Sequence, residues 1–165
     1  MKGGKLKSSP QQSVSIMKTE SGQEVIVTTA AQLADFLERP EPYIIWVAGR
    51  IQISDMLTVV ANKSILGMGA TAELTGGGLQ LGTTTRPGNN VIIRNIRHRG
   101  GWDGTGGSVN DADCITITRG CNGIVVQNAS LSGYYDEGIG VWGGATAAYG
   151  LNRNITIQDC IIGPG

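Results

Sequence analysis

The chain has 165 residues, enough for one domain with a single buried core, and its thirteen basic and thirteen acidic residues cancel. With 16% charged residues it carries no electrostatic footprint for nucleic acid or an anionic membrane surface, and its 40% hydrophobic content excludes a disordered chain. Glycine is the outlier, at 26 residues against 5% aromatic content, the composition of thin strands joined by many tight turns.

Residues 1–22 are polar, rich in Lys, Ser and Gln, and read as a loose lead-in. Their lysines are not followed by an apolar run, so no signal peptide is read, and no stretch reaches the roughly eighteen apolar residues of a membrane span. Glu24 to Thr29 predicts a short strand. Ala30 to Glu38 places Leu33, Phe36 and Leu37 at i, i+3, i+4, which predicts an amphipathic helix. Thr28 or Thr29 caps its start, and Arg39-Pro40 ends it because the residue before proline is pushed out of the α region.

From Tyr43 onward the chain is a series of short Ile/Val-rich strands punctuated by Gly, Asn and Pro. A phrase recurs at intervals of about thirty residues, the signature of stacked supersecondary units. It reads NKSILG from Asn62, NVIIRN from Asn90, NGIVVQN from Asn122 and NITIQD from Asn154. Strands this short, without crossover helices, favour a parallel β-helix over a doubly wound sheet, with an antiparallel sandwich as the alternative. Ile65, Ile92, Val125 and Thr156 are expected to stack in one column. Gly67, Asn95, Asn128 and Asp159 form another at a bend, where Asn and Asp tolerate the left-handed conformation. Cys114, Cys121 and Cys160 lack metal-type spacing and read as small buried hydrophobes.

Six phrases in order resemble the pectate lyase family. They are VTTAAQLADFLERPEPYIIWVAGRIQI, ANKSILGMGATAELTGGGLQLG, NVIIRNIRHRG, DADCITI, CNGIVVQNASLS with YYDEGIGVW, and NRNITIQDCII, together covering about residues 24–165. The resemblance implies a right-handed parallel β-helix over residues 23–165, all-β apart from one short N-terminal capping helix, and lacking the family's later turns. It also implies calcium-dependent β-elimination of polygalacturonate, an acidic-polysaccharide partner and a secreted or extracellular setting.

By that resemblance Asp111 and Asp113, before one strand, and Asp136, before another, match calcium-ligand positions. Glu137 partly substitutes for a fourth ligand whose position falls at Gly140. Calcium seeks six to eight oxygens, so clustered carboxylates suit it. Strand parity puts Ile139 and Val141 toward the core, and Asp113 reaches an outer site only if the chain bends before Cys114. Arg97, His98 and Arg99 are candidate substrate contacts through charge-assisted bonds, and Trp102 through stacking on a sugar face. Where relatives carry an Asp-His pair this chain has Gln127-Asn128, and the family's catalytic Arg lies on a turn that would follow Gly165. The catalytic residues are therefore unassigned. The enzyme reading is a weak or inactive lyase, against a non-catalytic, polysaccharide-binding or structural module that self-associates through its exposed C-terminal turn.

Overall fold

The computed structural model describes residues 16–19, 22–83, 86–101, 113–118, 120–143 and 150–165. Strand β1 (Ile16–Thr19) lies within the expected lead-in and pairs antiparallel with β2 (Gly22–Val27). Helix α1 (Ala30–Glu38) follows, with the bounds its periodicity predicts. Thr29 accepts a hydrogen bond from the Gln32 N–H at 3.3 Å, and the Gln32 side chain accepts from the Thr28 N–H at 2.9 Å, so orphan donors on both sides of the helix start are satisfied. Leu33, Phe36 and Leu37 face inward and close the N-terminal end of the core.

The chain then coils, each turn laying one strand on each of three faces. The first complete turn is β3 (Tyr43–Val47), β4 (Arg50–Ile53) and β5 (Leu57–Val59). The second is β6 (Lys63–Gly67), β7 (Glu73–Gly76) and β8 (Leu79–Leu81). The third is β9 (Val91–Arg94), β10 (Arg97–Gly100) and β11 (Ile115–Thr118). The fourth is β12 (Asn122–Gln127), β13 (Ser130–Ser132) and β14 (Ile139–Trp142), and β15 (Arg153–Gln158) with β16 (Ile161–Ile162) begins a fifth. Every pairing after β1–β2 is parallel, in sheets of seven, five and four strands. This is a parallel β-helix.

Because side chains alternate along a strand, each inward position stacks on its equivalent one turn away. The first face buries the column Val25, Ile45, Ile65, Ile93 and Val126, continued by Ile157. Ile65 therefore pairs with Ile93, not with Ile92 as the aligned phrases predict. Ile92, Val125 and Thr156 stack instead on Ser64, along the outer side. Ile65 lies two residues before the closing Gly67, whereas Ile92, Val125 and Thr156 lie three before Asn95, Asn128 and Asp159, and a displacement of one residue inverts the face.

The predicted bend column does form. Asn95, Asn128 and Asp159 adopt φ of 56°, 51° and 55°. Asn128 Nδ2 donates to Asn95 Oδ1 at 3.2 Å, and Asn95 Nδ2 donates to the Gly67 carbonyl at 2.9 Å. Gly67 is required there, since a Cβ would overlap the Asn95 carbonyl. A second ladder runs along the other end of the same face, where Asn90 donates to Asn62 at 2.9 Å and Asn154 to Asn122 at 2.8 Å.

One inward position is a lysine. Lys63 is 1% exposed, and its three N–H groups donate to the carbonyls of Arg39, Glu41 and Ala61 at 2.8, 2.9 and 3.0 Å. Two of these carbonyls lie at or just beyond the end of α1, so the ammonium closes the helix as a C-terminal cap. Burial pulls its pKa down to about 8, which leaves it charged at neutral pH. Lys63→Met leaves three carbonyls without their donor, and urea unfolding at pH 7 is expected to show a loss of roughly 3 kcal/mol.

Candidate functional site

The bend between the second and third faces brings the acidic residues together. Asp113 precedes β11 and Asp136-Glu137 precede β14, one turn further on, so stacking of the two strands superimposes them. The Cys114 N–H donates to the Glu137 carbonyl at 3.2 Å, and the Glu137 N–H donates to Asp113 Oδ1 at 3.0 Å. A bend at Cys114 turns the thiol inward and frees Asp113 to lie on the outer side, where Oδ2 accepts from the Thr116 hydroxyl at 2.7 Å. Oxygens of Asp113, Asp136 and Glu137 lie within 4.8 Å of one another. Asp113 is buried, Glu137 half-buried and Asp136 exposed.

Three carboxyl groups this close repel one another when ionised. The hydrogen bond that protonated Glu137 makes to Asp113, then burial, then the charges of Asp113 and Asp136 push Glu137 up to about 7. Glu137 Oε2 is buried without a donor. The cluster thus holds negative charge with no cation among the described residues to balance it. Asp111, the remaining predicted ligand, lies outside the described residues, as does Trp102.

The predicted basic contacts divide by strand parity. Arg97 points outward, and its Nε lies 3.5 Å from Glu73 Oε2, while Arg50 Nε lies 2.7 Å from Glu73 Oε1 on the other side. Arg50, Glu73 and Arg97 occupy one ladder position on three successive turns. Glu73, which the sequence reading passed over, is therefore already engaged. Its signal was available as opposite charges at equivalent positions of neighbouring repeats. Arg99 donates to the Ser130 carbonyl at 2.6 Å and to the Ser130 hydroxyl at 3.1 Å. Both arginines are held by partners on their own sheet.

His98 points the other way. It is 1% exposed in the column Ile51, Leu74, His98 and Leu131, and its Nε2 lies 2.6 Å from the Gly77 carbonyl. That short approach assigns the proton to Nε2, leaving Nδ1 buried without a partner. Alternation between two outward arginines puts the imidazole in the core, where it presents no face to a polysaccharide.

By sequence the chain matches no protein-family model and no curated protein. By structure it is similar to a pectate lyase from Bacillus sp. N165, crystallised in complex with trigalacturonate, with a TM-score of 0.53 at 19% identity. The superposition covers 86% of this chain and 50% of that one, so the chain spans half the length of this relative. The fold is a pectate lyase-like parallel β-helix.

In this pectate lyase-like frame Gly140 becomes informative. It lies on the outer side of β14 opposite Thr116, and a Cβ there would sit 2.6 Å from Asp113 Oδ2 and 2.8 Å from Trp142 Nε1. A side chain at this position would point at the acidic cluster, as the resemblance implies for a fourth ligand, and this chain supplies none. The oxygens present fit a hard cation such as calcium: all donors are carboxyl groups, and one of them is buried and unpaired. The three cysteines are free, and burial pushes the Cys114 thiol up to about 11, as expected of a packing residue.

Burial pulls His98 down to about 4 from an ordinary value of 6.5. The folded state therefore binds fewer protons than the unfolded chain between these values, and stability falls as pH drops from about 6.5 to about 4. His98→Leu, flanked by Leu74 and Leu131, is expected to cost about 1 kcal/mol at pH 7 through the unpaired Gly77 carbonyl. It should also flatten the acid dependence by up to roughly 3 kcal/mol. Urea midpoints measured from pH 7 to pH 4 read both effects.

Proposed function

We propose that Asp113, Asp136 and Glu137 bind calcium, and that the protein recognises acidic, polygalacturonate-like polysaccharide at this site. The observation that carries this reading is the convergence of three carboxyl groups from adjacent turns, with the Glu137 oxygen buried and unpaired. A divalent cation relieves their repulsion and, wanting more oxygens than three carboxylates supply, would keep coordination positions open for a uronate carboxylate that bridges to the protein. The lyase crystallised with trigalacturonate supports the same class of ligand.

Elimination requires more than a bridge, because a base must come within hydrogen-bond reach of the proton alpha to the carboxylate. Arg97 and Arg99 are engaged by Glu73 and Ser130, and His98 is buried, so none of them is offered as that base. Binding, with weak or no turnover, is the activity assigned to this chain. An extracellular setting suits it, since a partly exposed site with three carboxylates matches the calcium levels at which extracellular modules work.

Calorimetric titration at pH 7.5 is expected to give a calcium dissociation constant on the order of 0.1–1 mM, lost in Asp113→Ala and Asp136→Ala. Calcium must displace the proton that Glu137 retains up to about 7, so affinity rises as pH climbs through 7 and levels off above it. In calcium-free protein the sign reverses. The folded state holds the extra proton between about 4.5 and 7, so stability declines as pH rises across that window. A heat signal identical in wild type and both variants removes the cation site, and rapid release of unsaturated product from polygalacturonate removes the binding-only assignment.

A second reading, a self-associating module, is favoured by one end of the stack. Among the described residues β14, β15 and β16 are paired on one side only, and Val141, Ile157, Ile161 and Ile162 are exposed there. The segment Arg153-Asn154-Ile155-Thr156-Ile157-Gln158-Asp159 is chemically palindromic. Set antiparallel to a second copy about Thr156, it opposes Ile155 to Ile157 and Arg153 to Asp159. Sedimentation is expected to show a dimer that Ile157→Arg converts to monomer. A wild-type monomer at all concentrations overturns this reading.

A further inference from the structure

We propose that Trp142 is the sugar-stacking residue of the acidic site, seated there by the absence of a side chain at Gly140. The inference rests on the polysaccharide-binding reading and adds the residue that would hold the sugar ring. Trp142 ends β14, two residues after Gly140, so both lie on the outer side of the third face. Its indole edge leans back over Gly140. A Cβ at that glycine would lie within 3 Å of both Trp142 Nε1 and Asp113 Oδ2, so the indole N–H edge and the Asp113 carboxylate border one notch.

The backbone fixes this placement. Asn152 Nδ2 donates to the Trp142 carbonyl at 2.6 Å, and Trp142 pairs with Thr118 on the strand below. Yet the side chain is 54% exposed, and its indole N–H has no acceptor among the described residues. A tryptophan with a structural role buries its ring and pairs its N–H. This one keeps a broad apolar face in solvent and an unpaired donor beside a cluster of carboxyl groups.

Those features match a hexuronate. One face of a pyranose is a patch of C–H groups that stacks on an aromatic ring, its hydroxyls accept from an N–H donor, and its carboxylate seeks a cation. With the cation on Asp113, Asp136 and Glu137, a ring lying against Trp142 has its carboxylate on the acidic side and its hydroxyls toward the indole nitrogen. A larger residue at Gly140 would strike Asp113 and push the indole away, so Gly140 is the positioning residue for Trp142.

The test is calorimetric binding of trigalacturonate, with calcium and with chelator, to wild type, Trp142→Ala, Trp142→Phe and Gly140→Ala. Calcium titration without sugar is read in parallel, and circular dichroism checks the fold of each variant. Trp142→Ala is expected to weaken trigalacturonate binding roughly tenfold. Its calcium binding stays at the wild-type level, Trp142→Phe retains most of the sugar affinity, and Gly140→Ala loses part of it. Equal sugar affinity in wild type and Trp142→Ala overturns the inference while leaving the cation site intact. Sugar binding that depends on Trp142 but not on calcium keeps the inference and overturns the cation reading. Failure of wild type to bind trigalacturonate at all overturns both.

Discussion

Everything in this molecule depends on each turn returning to the same bend in the same register. Left-handed Asn and Asp residues enforce it, with φ between 51° and 61° at six positions. Such a conformation costs most residues steric strain that Asn and Asp avoid, and their side-chain amides bond to the neighbouring turn. The restraint matters because a slip of one residue would turn every apolar column outward. The fourth turn shows it under load. NGIVVQN carries one residue more than NVIIRN, and the excess is absorbed at Asn122-Gly123, where Gly123 takes φ of 72° while Ile124 stays opposite Val91. The bend yields and the strand register holds.

Polar residues inside the coil survive only where a carbonyl is waiting. Lys63 is placed beside the carbonyls of Arg39 and Glu41, at and just beyond the end of α1, and His98 beside the Gly77 carbonyl. At the acidic bend the local balance is different. Asp113 is stabilised by the Thr116 hydroxyl and the Glu137 amide, while Glu137 and Asp136 crowd it with like charge. Of the two buried atoms without a partner among the described residues, His98 Nδ1 belongs to a neutral imidazole and Glu137 Oε2 sits among like charges, and it is this uncompensated charge that marks the bend as a candidate site.

Much of the fold was legible because it is periodic. The helix and its Thr29 cap, the short strands and the Asn95–Asn128–Asp159 ladder follow from local pattern and repeat phase. The column through Ile65 was misjudged by one residue: the closing positions Gly67 and Asn95 are in phase, and the partner of Ile92 three residues before Gly67 is the polar Ser64, which an apolar pattern does not single out. At the site, the proximity of Asp113 to Asp136 and Glu137 followed from the resemblance, and strand parity correctly demanded a bend before β11. Irregular bends have no period, however. That the Glu137 amide binds Asp113, and that the Trp142 indole fills the space over Gly140, depends on backbone geometry that no alternation pattern encodes. His98 was misassigned for the opposite reason. Its strand is regular, and simple alternation between Arg97 and Arg99 places it in the core.

The two ends of the coil are unlike. At one, Leu33, Phe36 and Leu37 of α1 close the interior, and β1 covers the free edge of β2 by running against it. Among the described residues three strands at each end are paired on one side only, β1, β4 and β5 at the first and β14, β15 and β16 at the other, but only at the first does a helix pack against two of them. The short helix is thus more than a lid on the core. It also packs over β4 and β5, so the strand edges left for pairing differ from one end of the stack to the other.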